Sequence, residues 1–324
     1  ASGGGGVSSD AQENTVGGTN AGDSFTGTDA IQNTLFGFDA GTAITSGDNN
    51  SCFGHDAGMS ITTGVDTTYL GREAGKNTTT GGYNVAVGQF ALRGNTTGSY
   101  NVAMGYHANT SGSASQCIAI GWYAGAYMSG SANIAIGTFT MHNASSSSAT
   151  HNIAMGSNGG YGITSGDYNI CLGTESGYSL QSSSGSIAIG RRAGKASTVS
   201  ITAVGYEAAA ANTTGTNNTA FGYEALNLNT TGGSNTAVGQ QALKSCTTGS
   251  SNVSVGSFCL DGLTTGQYNV ATGHDTARNI TTGTNNICLG HSAGHSGSPS
   301  GAITTASNTV CIGNNNIANA HIKV

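Results

Sequence analysis

The sequence predicts an all-β chain, a parallel β-solenoid or β-roll of about eighteen coils with ~17-residue repeats. Three observations carry this prediction. One phrase recurs along almost the whole chain, and self-similarity at a fixed period marks stacked repeats. Inside each phrase a short segment alternates apolar and small residues with the period of two that belongs to strands. The composition fits neither an ordinary globular pair of domains nor a disordered chain. Gly makes up 54 of 324 residues, only 7% are charged, and there is a single Pro and a single Trp. Disordered segments are rich in charge and Pro, and this chain lacks both.

Each phrase is anchored by one glycine, from Gly18 and Gly37 through Gly54, Gly88, Gly205 and Gly290 to Gly313. Eleven of the seventeen intervals between anchors are 17 residues. An Asn opens the typical phrase, as at Asn84, Asn101, Asn218, Asn235, Asn252 and Asn269. Stacked coils place such amides about 4.8 Å apart, a spacing suited to a hydrogen-bonded Asn ladder. An apolar–small–apolar triplet follows, for example "VAV" at Val85–Val87. Its outer positions (Val85 and Val87, Val102 and Met104, Ile134 and Ile136) are expected to fill the coil. The small slot holds Ala86, Ala103, Ala220, Ala237, Cys171 and Cys288. A second face this uniform implies close approach by a neighbouring chain, or by the far wall of a narrow coil. The anchor glycine supplies a turn or a positive φ. The polar stretch ending in "TTG" reads as the turn that closes the coil.

The repeats occupy 14–313, with a flexible or capping segment at 1–13 and a tail at 314–324. The chain opens on Ala1 and reads as processed or as a fragment. The intervals that depart from 17 are expected to project as loops, the best candidates being 141–152 and 295–308. A phrase of this size cannot bury its few apolar residues alone, whereas stacking copies makes a continuous core.

Charge and hydropathy restrict the function classes. The net charge of −6 is spread out, with no Lys/Arg run, so nucleic acid is not an expected partner. No apolar run approaches the ~18 residues of a membrane span, and no membrane insertion is expected. Carboxylates recur two residues after the anchor, at Asp39, Asp56, Glu73, Glu175, Glu207, Glu224 and Asp275. Repetition marks them as a solvated acidic stripe rather than the paired acids of a glycosidase. The seven Cys lack metal spacing and read as small buried hydrophobes. His274 and His291 fall on adjacent coils and read as solvated. Tyr83, Tyr100, Tyr168 and Tyr268 precede the ladder Asn and are expected to pack at the coil corner. Sequons begin at Asn77, Asn95, Asn109, Asn143, Asn212, Asn229, Asn252 and Asn279, among others. No cofactor, metal or catalytic constellation is expected, and the chain reads as a non-enzyme.

The phrases "NNTAFGYEAL", "YNVAVGQFAL" and "SNTAVGQQAL" resemble the repeats of trimeric autotransporter adhesin heads. They resemble still more those of phage and large-DNA-virus tail fibres and spikes. The resemblance spans Asn14 to Gly313, although the 17-residue period is longer than in the adhesin heads. It implies a left-handed parallel β-roll assembled as a homotrimer. It also implies a structural fibre shaft or head, extracellular or on a virion surface, that contacts host glycans or protein receptors. The closing "NTVCIGNNNIANAHIKV" resembles the segment that precedes an intramolecular chaperone domain in such fibres, which would make Val324 a cleavage end. Two other readings remain: an extracellular filament of stacked solenoids, and a single-chain ice-binding solenoid using Thr pairs such as Thr230–Thr231.

Overall fold

A computed structural model describes residues 6–26, 28–142, 148–295 and 302–314. The centres of both expected loops and nearly all of the tail lie outside these residues. The chain divides into two units, Ala1–Tyr168 and Asn169–Val324.

Both units are parallel β-solenoids built from three-residue strands, one per coil. In the first, Thr15–Gly17 opens a series of parallel pairs that runs to Ile153–Met155, in which Ala86 lies over Ala103 and Ala135 over Ala154. Val7–Ser9 runs antiparallel on Thr15–Gly17 and covers the leading edge of the series. In the second unit the register runs Ala203, Ala220, Ala237, Ser254, Ala271, Cys288, Cys311. Residue i lies over i+17 from Ala203 to Cys288.

The strand faces are the reverse of the sequence expectation. Ala86, Ala103, Ala220 and Ala237 are fully buried inside their own coils, as are Cys171 and, within 1%, Cys288. Val85 and Val87 point outward and are only half-buried. The reason is the width of the coil. In the coil that starts at Asn84, the buried side chains are Asn84, Ala86, Ala91, Leu92 and Asn95. The wall opposite the strand lies so near that a methyl added at Gly58 would sit 2.7 Å from Cys52 Sγ. One side chain fits there, small in most coils though Leu35 and Tyr69 also take the slot, and two β-branched ones do not. Small apolar residues in this slot therefore require no neighbouring chain.

Coils of this size close through left-handed backbone. In the same coil Phe90, Leu92 and Tyr100 have φ of 62°, 54° and 62°, and the anchor Gly88 has φ of 127°. Equivalent positions recur along the chain, and a non-glycine residue held there costs on the order of 1 kcal/mol or more. Hydrogen bonds between coils hold the turns in place. In the coil of Glu224, its N–H donates to Tyr206 O at 2.8 Å, Leu226 N–H to Ala242 O at 2.9 Å and Thr230 N–H to Thr247 O at 2.8 Å.

Two core slots, the fourth and seventh after the anchor, trade volume in most coils, the coil of Gly256 excepted, where Leu260 and Leu263 are both buried. Gly41 is followed by Ile44, Gly58 by Ile61, Gly160 by Ile163 and Gly177 by Leu180, whereas Leu92 is followed by Asn95 and Leu226 by Asn229. Tyr69, fully buried in the small slot, faces Gly75 and donates its hydroxyl to Thr78 Oγ1 at 3.1 Å. A methyl at Gly160 would lie 2.9 Å from Ile163 Cδ1. Gly160→Leu alone is expected to cost about 1–3 kcal/mol through overpacking. Adding Ile163→Asn recreates the Leu226/Asn229 pairing and should recover most of the loss. A double-mutant cycle by denaturant unfolding measures that coupling.

Candidate contact surfaces

The Asn ladder is internal and fully engaged. Asn101 donates both its N–H (2.9 Å) and its Nδ2 (3.0 Å) to Asn84 Oδ1, while Asn84 Nδ2 donates to Gly98 O at 2.9 Å. Asn218, Asn235, Asn252 and Asn269 continue the pattern, each Oδ1 accepting from the next Asn N–H at 2.9–3.1 Å. Each Nδ2 also reaches the Gly carbonyl 14 residues on. These residues and the small slot build the core and offer nothing to a ligand.

The acidic rank is paired rather than merely solvated. Lys76 Nζ lies 2.8 Å from Asp56, and Arg93 Nε lies 2.7 Å from Glu73. Arg192 (2.9 Å) and Lys195 (2.8 Å) meet Glu175, and Lys244 lies 2.8 Å from Glu224. Asp56 and Glu73 are buried. The sequence alone hides this because Lys76, Arg93, Lys195 and Lys244 each sit five residues after their own anchor but over the acid of the preceding coil. Hydrogen bonds from Lys195 and Arg192 hold the Glu175 carboxyl below the usual range, and that from Lys244 does the same for Glu224. Every described Lys and Arg makes such a pair, which leaves no unpaired basic patch among the described residues.

None of the seven Cys is in a disulfide, and all are buried. Burial pushes the thiols of Cys52, Cys171 and Cys288 up to about 12, and those of Cys246 and Cys259 to about 11, so they are poor nucleophiles. No cluster of three or more His, Cys, Asp or Glu among the described residues could hold a metal ion. His274 and His291 stack at 5.5 Å. The first Thr of each pair spends its hydroxyl between coils, Thr230 Oγ1 donating to Thr247 O at 3.1 Å and Thr264 Oγ1 to Thr281 O at 3.0 Å.

Among the described residues two surfaces remain for contact. One is the outward strand face, where large apolar side chains stand in rows. Phe221 is 54% exposed, Ile287 43% and Val310 63%, with Val253, Val255 and Val270 beside them. The other is an aromatic platform in the first unit. At the positions just after four successive anchors stand Phe90, Tyr106 and His107, Trp122 and Tyr123, and Phe139. Their rings pack together: His107 on Tyr123 at 4.7 Å, Trp122 on Phe139 at 4.7 Å and Tyr106 on Tyr123 at 5.7 Å. Trp122 and Tyr106 stay 48% and 40% exposed. The signal for this platform was readable as a charged slot turned aromatic over consecutive phrases. The corner tyrosines are also exposed rather than packed: Tyr83 and Tyr100, at 49% and 59%, stack face to face at 4.8 Å. Their left-handed backbone turns them away from the core.

No protein-family model, curated protein or solved structure matches this chain. Among the described residues no helix is long and apolar enough to cross a membrane.

Proposed function

We propose that this chain is a non-enzymatic structural protein, a shaft or head of a surface fibre or adhesin on a virion or cell, which works as a homotrimer. The observation that carries the reading is the outward strand face. Its apolar rows stand exposed on a single chain, although a soluble strand face favours polar side chains there. Contiguous apolar surface of this kind marks an association site. Copies of the same chain are the natural occupants, because each carries the same rows at the same coil spacing. The likeness of the phrases to fibre repeats supports three chains. The aromatic platform around Trp122 is the proposed contact for host glycans, since flat exposed rings stack on sugars while polar neighbours hydrogen-bond them. The commitment of the first Thr hydroxyl in each pair counts against an ice-binding face.

The test is chain count by light scattering. Three chains of 31.9 kDa give about 96 kDa (3 × 31.9). Val253→Lys with Val270→Lys should leave the circular dichroism unchanged and yield a monomer, because both side chains point outward. A wild-type monomer at micromolar concentration would end the reading. Charges at Ala220 or Ala237 cannot serve as this test, since both are in the core of the single chain.

A further inference from the structure

We infer that this chain folds in a compartment that neither glycosylates asparagine nor oxidises thiols, and that it meets such chemistry only after its coils have closed. The inference does not depend on what the chain contacts. Two independent sets of core residues point to it.

The first set is five sequon asparagines. Asn95, Asn109, Asn212, Asn229 and Asn252 each begin an Asn-x-Ser/Thr triplet. All five are fully buried. The acceptor atom of N-glycosylation is Nδ2; in Asn95, Asn212, Asn229 and Asn252 that atom is hydrogen-bonded inside the coil, and in Asn109 it is buried without a hydrogen-bond partner. Asn95 Nδ2 donates to Gly98 O at 3.0 Å. Asn229 Nδ2 donates to Asn212 Oδ1 at 2.6 Å and to Gly232 O at 2.9 Å. Asn252 Nδ2 donates to Asn235 Oδ1 at 3.1 Å and to Gly266 O at 3.0 Å. In glycosylation Nδ2 attacks the anomeric carbon of a lipid-linked oligosaccharide diphosphate, loses a proton, and the lipid diphosphate leaves. The reaction acts on chains that have not yet folded, so burial in the finished coil is no protection. One bulky, hydrophilic glycan on any of these atoms is incompatible with the coil interior.

The second set is the seven buried cysteines. They are spread over the chain as core side chains, and their number is odd. In an unfolded chain facing a disulfide donor, any two would give up two protons and two electrons and close a non-native loop. Once buried they are out of reach of a disulfide donor, and burial also pushes the thiols of Cys52 and Cys171 up. Both sets are therefore vulnerable before folding and safe after it.

The experiment expresses the whole chain in one eukaryotic cell line, in the cytosol and with an added endoplasmic-reticulum leader. A five-site variant accompanies it: Thr97→Ala, Ser111→Ala, Thr214→Ala, Thr231→Ala and Ser254→Ala. This removes the five core sequons while leaving the ladder intact. Thr97, Ser111, Thr214 and Thr231 are exposed, and Ser254 occupies the small slot where Ala is usual. Asn77, exposed in its sequon, serves as an acceptor that tolerates a glycan. Thermolysin resistance reads folding, and peptide mass mapping reads glycans and disulfides. The expected result is a resistant cytosolic protein and a sensitive lumenal wild type carrying glycans on the core asparagines. The lumenal variant should regain resistance, or stay sensitive with mapped non-native disulfides. A lumenal wild type that is resistant, with the five asparagines bare and the thiols reduced, overturns the inference. So does a lumenal wild type that misfolds with neither glycans nor disulfides on core residues.

Discussion

Asn252→Ala is expected to destabilise the second unit by roughly 2–6 kcal/mol, because it orphans two buried backbone groups at about 1–3 kcal/mol each. The Asn252 side chain accepts from Asn269 N–H and Nδ2, each at 3.0 Å, and donates to Asn235 Oδ1 and Gly266 O. Asn235 Oδ1 keeps the Asn252 N–H, and Asn269 Nδ2 keeps Gly283 O. Asn269 N–H and Gly266 O lose their partner. Asn252→Asp sharpens the test. The shape is kept, but an ionised carboxylate faces two acceptors and cannot donate. Its folded pKa should rise above the ordinary carboxylate value, so the penalty is fully present at neutral pH. As pH falls through that raised value, protonation restores one donor and part of the stability. Denaturant midpoints at pH 7 and pH 4 decide the matter. If Asp proves as stable as Asn at pH 7, the ladder contributes little.

Gly239→Ala is expected to cost still more, above ~4 kcal/mol. Gly239 has φ of 132°, in a region that is close to glycine-only. An added methyl would lie 2.5 Å from Gly256 O and 2.6 Å from Gly256 C. That carbonyl belongs to the next coil's backbone, so relief requires separating two coils along the ladder rather than moving a side chain. Limited proteolysis should open the chain between 239 and 256. Gly185→Asn is the matched control. Gly185 has φ of 71° with nothing within 4 Å of an added methyl, and Asn217 and Asn285 already occupy the same rank with φ of 59°. The control should be nearly neutral. Similar losses at Gly185 and Gly239 would show that backbone preference, not coil-to-coil overlap, sets the cost.

The period and the stacking were legible because they rest on residues with one tolerable choice. An anchor such as Gly239 admits no side chain, and a ladder amide such as Asn252 must both donate and accept. The direction of the strand faces was not legible from alternation alone, since a period of two says that two sets exist and not which one is inside. Wide coils place the large set inward, whereas this narrow one admits a single inward side chain per strand, Ala86 and its equivalents in most coils. The presence of Cys171 and Cys288 in that slot was the available clue. The left-handed turns were hidden because Phe90, Leu92 and Tyr100 are not residues that announce a positive φ. The ion pairs were hidden because partners such as Lys76 and Asp56, twenty residues apart, meet only once the register is known.

The uniform register of 205–290 also makes the coil a unit of inheritance. Cutting out 235–251 joins Ser234 to Asn252, and each junction finds a neighbour of the same rank as before: Asn218 meets Asn252, Ala220 meets Ser254 in place of Ala237, and Gly222 meets Gly256. A duplication is equally silent, adding one strand spacing of about 4.8 Å. Recombination between phrases can therefore change how far this protein reaches in whole steps, without a new fold being found at any of them.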